Sequence, residues 1–385
     1  MGSFESTSLG RRWRMVKTGF ESEICLAVFR EVLREFMVTG GDGVDDSPDV
    51  RKAELTPSGG VDERNLTALD CEDMKVVISR DSYDAFSQGN ALSLNYYTKT
   101  CPDVELVIAQ VVRKATSKDK TVPAALLRMH FHDCFIRGCD GSVLLKSKGG
   151  NKAEKDGPPN VSLHAFYVID SAKKAVETIC PGIVSCADIL ALAARDAVVL
   201  TGGPTWDVPK GRKDGRISKA SETVQLPAPT FNISQLQQSF SQRGLSMEDL
   251  VALSGGHTLG FSHCSSFENR IYNFNSTHDT DPTLHPSFAA ILRSICPIKN
   301  KAKNAGTTMD PSSTTFDKTY YKLMLQKKSL FSSDQALLTI PKTKYLVSKY
   351  ASSKKAFNTA FINSMIKMSS ITGGQEVRKD CRVVN

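Results

Sequence analysis

From about residue 92 onward, apolar positions recur at helical spacing, and the two-residue alternation of half-buried strands is scarce. VELVIAQVVRKAT (104–116), PAALLRMHFHDCF (123–135), AFYVIDSAKKAVETI (165–179) and SCADILALAARDAVVL (185–200) each predict a helix. So do ISQLQQSFSQRG (233–244), SMEDLVALSGGHTLG (246–260), HPSFAAILRSIC (285–296), TTFDKTYYKLMLQ (314–326) and KKAFNTAFINSMIKMSS (354–370). Ser185, and Ser246 with Asp249 three residues on, supply start signals. The expectation is a mostly α domain over 91–385 with little β.

The leading segment has a different character. Residues 38–64 are rich in Gly, Pro and acids, which predicts a flexible stretch and a boundary near residue 90. Within 21–37, Cys25, Leu26, Phe29, Leu33 and Phe36 have helical spacing, while Glu31, Arg34 and Glu35 interrupt them. That pattern reads as an amphipathic helix rather than the apolar core of a secretory signal. MGSFES also fits a loose myristoylation pattern. No apolar run reaches about 18 residues, so no membrane span is expected.

Composition adds less. Of 385 residues, 49 are Lys or Arg and 41 are Asp or Glu, a net charge of +8. The excess is spread along the chain, which favours solubility and weak polyanion affinity over a nucleic-acid site. Ten cysteines occur, eight of them after residue 100, and no C-x-x-C pair suggests zinc. An even set suits either four disulfides and an oxidising compartment or buried thiols. Sequons lie at Asn65, Asn160, Asn232 and Asn275.

Four segments carry candidate chemistry. In RMHFHDCF, Arg128 and His132 are four apart, so a helix places them on one face beside Phe131. A neutral imidazole can move a proton, and a guanidinium can stabilise developing negative charge. The alternative is a packed structural histidine. In DCFIRGCDGS, Asp133, Asp140 and Ser142 alternate in a Gly-containing loop. Such oxygens suit calcium or an ordinary polar turn. In LSGGHTLG, His257 suits an axial haem ligand, with Asp334 of LFSSDQALL as a candidate partner, or a core histidine. In MDPSSTTFDKTYY, Asp310 and Asp317 with Thr258 suit a second calcium loop, or a helix cap lies there instead.

These segments together resemble the class III plant haem peroxidase family, from ALSLNYYTKTCP at Ala91 to RKDCRVVN at the C-terminus. RMHFHDCFIRGCDGSVLL, SCADILALAARDAV, LSGGHTLGFSHC and LFSSDQALL carry the resemblance, in order. It implies a helical fold with haem b between a distal half (about 91–225) and a proximal half (about 226–385). It implies Arg128, Phe131, His132 and Asn160 as the distal catalytic group. His257 becomes the axial ligand, with Asp334 its hydrogen-bond partner. A distal calcium would take Asp133, Ile136, Gly138, Asp140 and Ser142, with Glu154 linking it to the distal cavity. A proximal calcium would take Thr258, Asp310, Ser312, Thr315 and Asp317. That loop is one residue shorter than the family's usual pattern, and Ser313 competes with Ser312. Pro227 resembles the donor-site residue. Implied disulfides are Cys101–Cys180, Cys134–Cys139, Cys186–Cys381 and Cys264–Cys296. The implied activity reduces hydrogen peroxide with electrons from small phenols, in lignin or suberin formation, oxidative stress or auxin catabolism. The implied protein is a secreted, monomeric glycoprotein. Residues 1–90 have no counterpart in the family, and a misplaced gene start or a real extra segment accounts for them. Two rival readings are a haem-binding protein without turnover and a zinc hydrolase built on His130, His132 and Asp133.

Overall fold

The computed structural model describes residues 92–299, 302 and 304–385, and the backbone of 3–6, 11–16 and 75–76. The chain divides into two units, Met1–Gly89 and Asn90–Asn385. In the first, strands β1 (Ser3–Ser6), β2 (Arg11–Val16) and β3 (Lys75–Val76) pair antiparallel in that order. The expected helix over 21–37, the stretch 38–64, Cys25, Cys71 and Asn65 lie outside the described residues.

The second unit is helical. Helices α1 (Val104–Lys118), α2 (Val122–Arg137), α3 (Phe166–Ile179) and α4 (Cys186–Leu200) form its first half. Helix α2 is buried on nearly every side, from Val122 through Leu126, Met129 and Phe135. It packs against α4, whose alanines allow close approach, and α1 and α3 cover α4. Burying one such large apolar side chain is worth about 1.5–3 kcal/mol. Ser185 caps α4 by accepting the Asp188 amide at 3.1 Å.

The second half contains α5 (Ile233–Ser241), α6 (Met247–Ser254), α7 (Glu268–Ile271), α8 (Pro286–Ile295), α9 (Thr319–Leu325), α10 (Ser332–Ala336), α11 (Pro341–Ser352) and α12 (Lys354–Ser369). Helix α6 packs on α12, and α9 packs on α11. A short antiparallel pair, β4 (Phe261–His263) with β5 (Gly306–Thr308), accompanies a small separate core around Phe267, Ile271 and Leu292. Four disulfides join Cys101 to Cys180, Cys134 to Cys139, Cys186 to Cys381, and Cys264 to Cys296. These are the pairs the resemblance implies.

Three expectations need correction. The helix over 246–260 ends at Ser254, and Gly255–Thr258 winds as a tighter 3-10 turn. A Cβ on Gly255 would meet Phe357 at 2.4 Å and the Tyr321 hydroxyl at 2.5 Å, so the turn lies close against α9 and α12. The helix over 314–326 begins only at Thr319, because Asp317 Oδ1 accepts the Thr319 amide at 2.6 Å and holds a loop before it. Helix α11 was not expected. Its buried face, Thr343, Leu346, Val347, Tyr350 and Ala351, has helical spacing behind Pro341 at the first turn.

Candidate active site

Helix α2 carries the first group. Arg128 and His132 stand one turn apart on it, and His132 is buried. Asn160, from the loop before α3, is buried too, and its Oδ1 lies 2.5 Å from His132 Nδ1. The Asn160 amide nitrogen donates to the Glu154 carbonyl at 2.9 Å, which fixes the amide's orientation. An amide oxygen only accepts, so Nδ1 of His132 carries the proton and Nε2 keeps its lone pair. Burial, then the charge of Arg128, pushes the His132 pKa down from 6.5 to about 3. The bond to Asn160 opposes that shift, and the charge of His257 adds to it.

Arg128 donates from Nη1 to Ser162 Oγ at 3.0 Å and from Nη2 to the Pro159 carbonyl at 2.9 Å. It is accessible to solvent, yet desolvation lowers its pKa to about 10. Phe131, half-buried, stacks on Phe135 with ring centroids 4.0 Å apart.

His257 projects from the 3-10 turn after α6. Its Nδ1 lies 2.9 Å from Asp334 Oδ1 on α10. The Tyr320 hydroxyl donates to the same oxygen at 2.8 Å, and the Phe331 amide reaches Oδ2 at 3.4 Å. Asp334 is 2% exposed while the His257 side chain is 42% exposed, so the ring is anchored on one side and open on the other. With Nδ1 donating to a carboxylate, Nε2 is an electron-rich lone pair. This donor set fits a haem: one imidazole polarised by an anion for ligation, one polarised by a neutral amide for proton transfer.

Beside the distal group lies an acidic cage. Asp133 accepts the Gly141 amide at 2.9 Å and the Val143 amide at 3.3 Å, and Asp140 accepts the Ser142 amide at 2.9 Å. Both Glu154 carboxylate oxygens and Ser142 Oγ are buried with no hydrogen-bond partner. Burial, then Asp133 and Asp140, pushes Glu154 up to about 9. Oxygens crowded together and left unpaired fit a hard cation such as calcium. Gly138 follows α2 with φ 87°, and a Cβ there would meet the Ile371 carbonyl at 2.9 Å. Ile136 is the residue before Arg137 in the last turn of α2, which leads into the same loop.

The second expected cation loop is built differently. Thr258 Oγ1 donates to Asp310 at 2.9 Å and approaches Asp317 at 3.4 Å, and Ser312 caps Asp310 through its amide at 2.7 Å. The Thr315 amide closes a turn onto the Ser312 carbonyl at 2.7 Å, and the Ser313 carbonyl is taken by the Gly260 amide at 2.9 Å. Here the polar atoms satisfy one another. Pro227 sits half-buried before α5, and no interaction among the described residues ties it to either histidine.

The zinc alternative finds no geometry. His130 Nε2 bonds Ser369 Oγ at 2.8 Å, away from His132, and the two sulfurs nearest it belong to the Cys134–Cys139 disulfide. Asn160 is buried in its bond to His132, so its sequon is closed to glycan. Asn232 and Asn275 are exposed. Tyr320 went unmarked in the sequence. Its only signal was its place in the FDKTYY run beside a candidate cation loop.

A buried imidazole held on an amide and a half-open imidazole held on a carboxylate are the donor set of a haem-dependent oxidoreductase. The family model described as Peroxidase matches residues 108–353. The chain belongs to the peroxidase family, in its class III plant branch, and is a haem enzyme that acts on hydrogen peroxide. It is 68% identical to Peroxidase 64 of Arabidopsis thaliana over 310 residues, 80% of this chain and 96% of that protein. Peroxidase 66 of the same plant is 55% identical over 300 residues, covering 77% and 92%. Peroxidase 5 of Vitis vinifera is 48% identical over 301 residues, covering 76% and 92%.

Proposed function

We propose that residues 91–385 form a peroxidase domain in which His257 holds haem b by Nε2 while His132 and Arg128 process peroxide on the other face. One observation carries this reading: both imidazoles are held by Nδ1, one on a carboxylate and the other on an amide. The haem supplies the redox chemistry when bound, and the protein positions and tunes it. With haem bound, His132 Nε2 would take a proton from hydrogen peroxide and return it to the departing oxygen. Arg128 would stabilise the charge that develops as the O–O bond breaks. Asn160 keeps the proton on Nδ1, and Phe131 fills the wall beside the cleft. Asp334 fixes the His257 ring and makes it a stronger ligand.

The donors are small phenols reaching the cleft's edge near Pro227, consistent with roles in lignin or suberin formation, oxidative stress or auxin catabolism. The enzyme works as a secreted, glycosylated monomer. Its four disulfides suit an oxidising compartment. No helix among the described residues is long and apolar enough to cross a membrane. The test is turnover. Purified protein loaded with haemin oxidises guaiacol when peroxide is added, and loaded protein without turnover defeats the proposal in favour of the silent haem-binding alternative.

The pH profile follows from His132. A base must be neutral, and a folded pKa depressed to about 3 keeps the imidazole neutral through the usual histidine range. The second-order rate with peroxide therefore stays level as pH falls through about 6.5 and declines only toward about 3. A midpoint near that of free histidine contradicts the buried base.

Two calcium ions complete the proposal. Asp133, Ile136, Gly138, Asp140, Ser142 and Glu154 surround the distal one, and Thr258, Asp310, Ser312, Thr315 and Asp317 the proximal one. The orphaned Glu154 oxygens support the distal site in particular. With calcium at about a hundredfold excess over its Kd, binding contributes about 2.7 kcal/mol, so chelation lowers Tm by roughly 5–10 °C. An unchanged melting curve after chelation, with metal analysis finding no calcium beforehand, contradicts the cage.

A further inference from the structure

A line of phenol rings leads away from His257. Tyr320 packs edge-on to the His257 ring with centroids 5.9 Å apart, and Tyr321 follows at 5.0 Å. Tyr350, from α11, stands 5.4 Å beyond Tyr321. The chain has proton acceptors at both ends. The Tyr320 hydroxyl donates to Asp334 Oδ1 at 2.8 Å, and the Tyr350 hydroxyl donates to Glu248 Oε1 at 3.2 Å. Tyr321 between them donates to the Val251 carbonyl at 2.8 Å, which cannot take its proton away. Glu248 is exposed to solvent, whereas all three tyrosines are buried.

We infer that Tyr320, Tyr321 and Tyr350 form a hole-transfer relay that carries oxidising equivalents from the His257 side of the cleft to the Glu248 surface when donor is scarce. A phenol near neutral pH is oxidised readily only if its proton leaves with its electron. Each end of the relay has a carboxylate within hydrogen-bonding distance for that proton, and the ring between them bridges the gap. Burial, then the Glu248 carboxylate, raises the pKa of Tyr350, so it begins protonated.

The balance is simple. Peroxide, through the established activity, is the oxidant. Tyr320 loses one electron to the oxidised centre, and its phenolic proton moves to Asp334. Tyr350 then gives one electron to Tyr320 across Tyr321, and Asp334 returns the proton to Tyr320. The Tyr350 proton passes to Glu248. The net change is one electron and one proton lost from Tyr350. A reductant at the Glu248 surface, of the same phenolic class as the donors, restores both. The relay rests on the assignment of His257 as the haem ligand, so its test must separate the two.

Haem-loaded protein is pulsed with peroxide without donor, frozen within milliseconds, and read by electron paramagnetic resonance. The Tyr321→Leu and Tyr350→Phe variants locate the radical. Wild type is expected to give a tyrosyl signal from Tyr350. In Tyr350→Phe that signal is replaced by a different tyrosyl signal from Tyr320. Tyr321→Leu, which removes the bridging ring, cuts the Tyr350 signal at least tenfold. Glu248→Gln, an exposed change that leaves the core intact, also lowers that signal severalfold. Wild type with a normal haem spectrum and normal peroxide consumption but no tyrosyl radical overturns the relay and leaves the His257 assignment standing. A wild-type tyrosyl signal unchanged by Tyr350→Phe, or by both Tyr321→Leu and Glu248→Gln, also overturns it. Loss of the haem spectrum in wild type itself overturns both.

Discussion

His257→Ala protein, purified and supplied with haemin, is expected to retain little haem and to lose the Soret band that wild type shows. The His257 ring supplies the open Nε2, and Asp334, on which it is anchored, is 2% exposed. Altering a partner behind a metal ligand typically costs about 10–100-fold in metal affinity. Removing the ligand itself costs at least that much. The variant should still fold, because Asp334 keeps the Tyr320 hydroxyl at 2.8 Å and the Phe331 amide. Circular dichroism checks folding, and haem titration followed at the Soret band checks binding. Full haem affinity in the variant assigns the ligand elsewhere. Asp334→Asn is the graded companion. It keeps the shape, removes the anion behind the ring, and should weaken haem binding by about 10–100-fold.

His132→Ala should behave in the opposite way. Haem stays bound, while the reaction with peroxide slows by about 10²–10⁴-fold, the range for removing a positioned acid–base group. Among the described residues, the one hydrogen bond of its side chain is to Asn160. Stopped-flow mixing with peroxide reads the rate directly. Asn160→Ala gives a smaller loss, because it frees Nδ1 of its partner without removing the imidazole. A near-normal rate in His132→Ala places the proton transfer on another residue.

The two halves of this site were not equally legible. Arg128 and His132 stand four residues apart on a helix whose periodicity was plain, so local spacing alone placed them together. His257 and Asp334 are 77 residues apart, and no local pattern brings them within 2.9 Å. Their pairing depends on how α6, its 3-10 turn and α10 pack; the residues offered Asp334 only as a candidate, and the family resemblance made it the partner. The same applies to Asn160, which reaches His132 from a loop 28 residues on. Helix ends were misread where side chains or glycines override periodicity. Gly255 and Gly256 mark the stop at Ser254, and the Asp317 carboxylate delays the start of α9. Helix α11 escaped because its apolar face is diluted by lysines, although Pro341 signalled its first turn. Of the cage around Glu154, the sequence offered the Asp133–Ser142 loop as calcium site or polar turn and the resemblance added Glu154; its unpaired oxygens exist only in the fold.

The most direct measurement is resonance Raman of the haem-loaded protein in its ferrous form, taken on wild type, His132→Ala and His257→Ala. The account predicts a five-coordinate, high-spin haem with one iron–histidine stretch, present in wild type and His132→Ala and missing in His257→Ala. A six-coordinate, low-spin spectrum with both imidazoles on the metal, or an iron–histidine stretch that survives in His257→Ala, contradicts it.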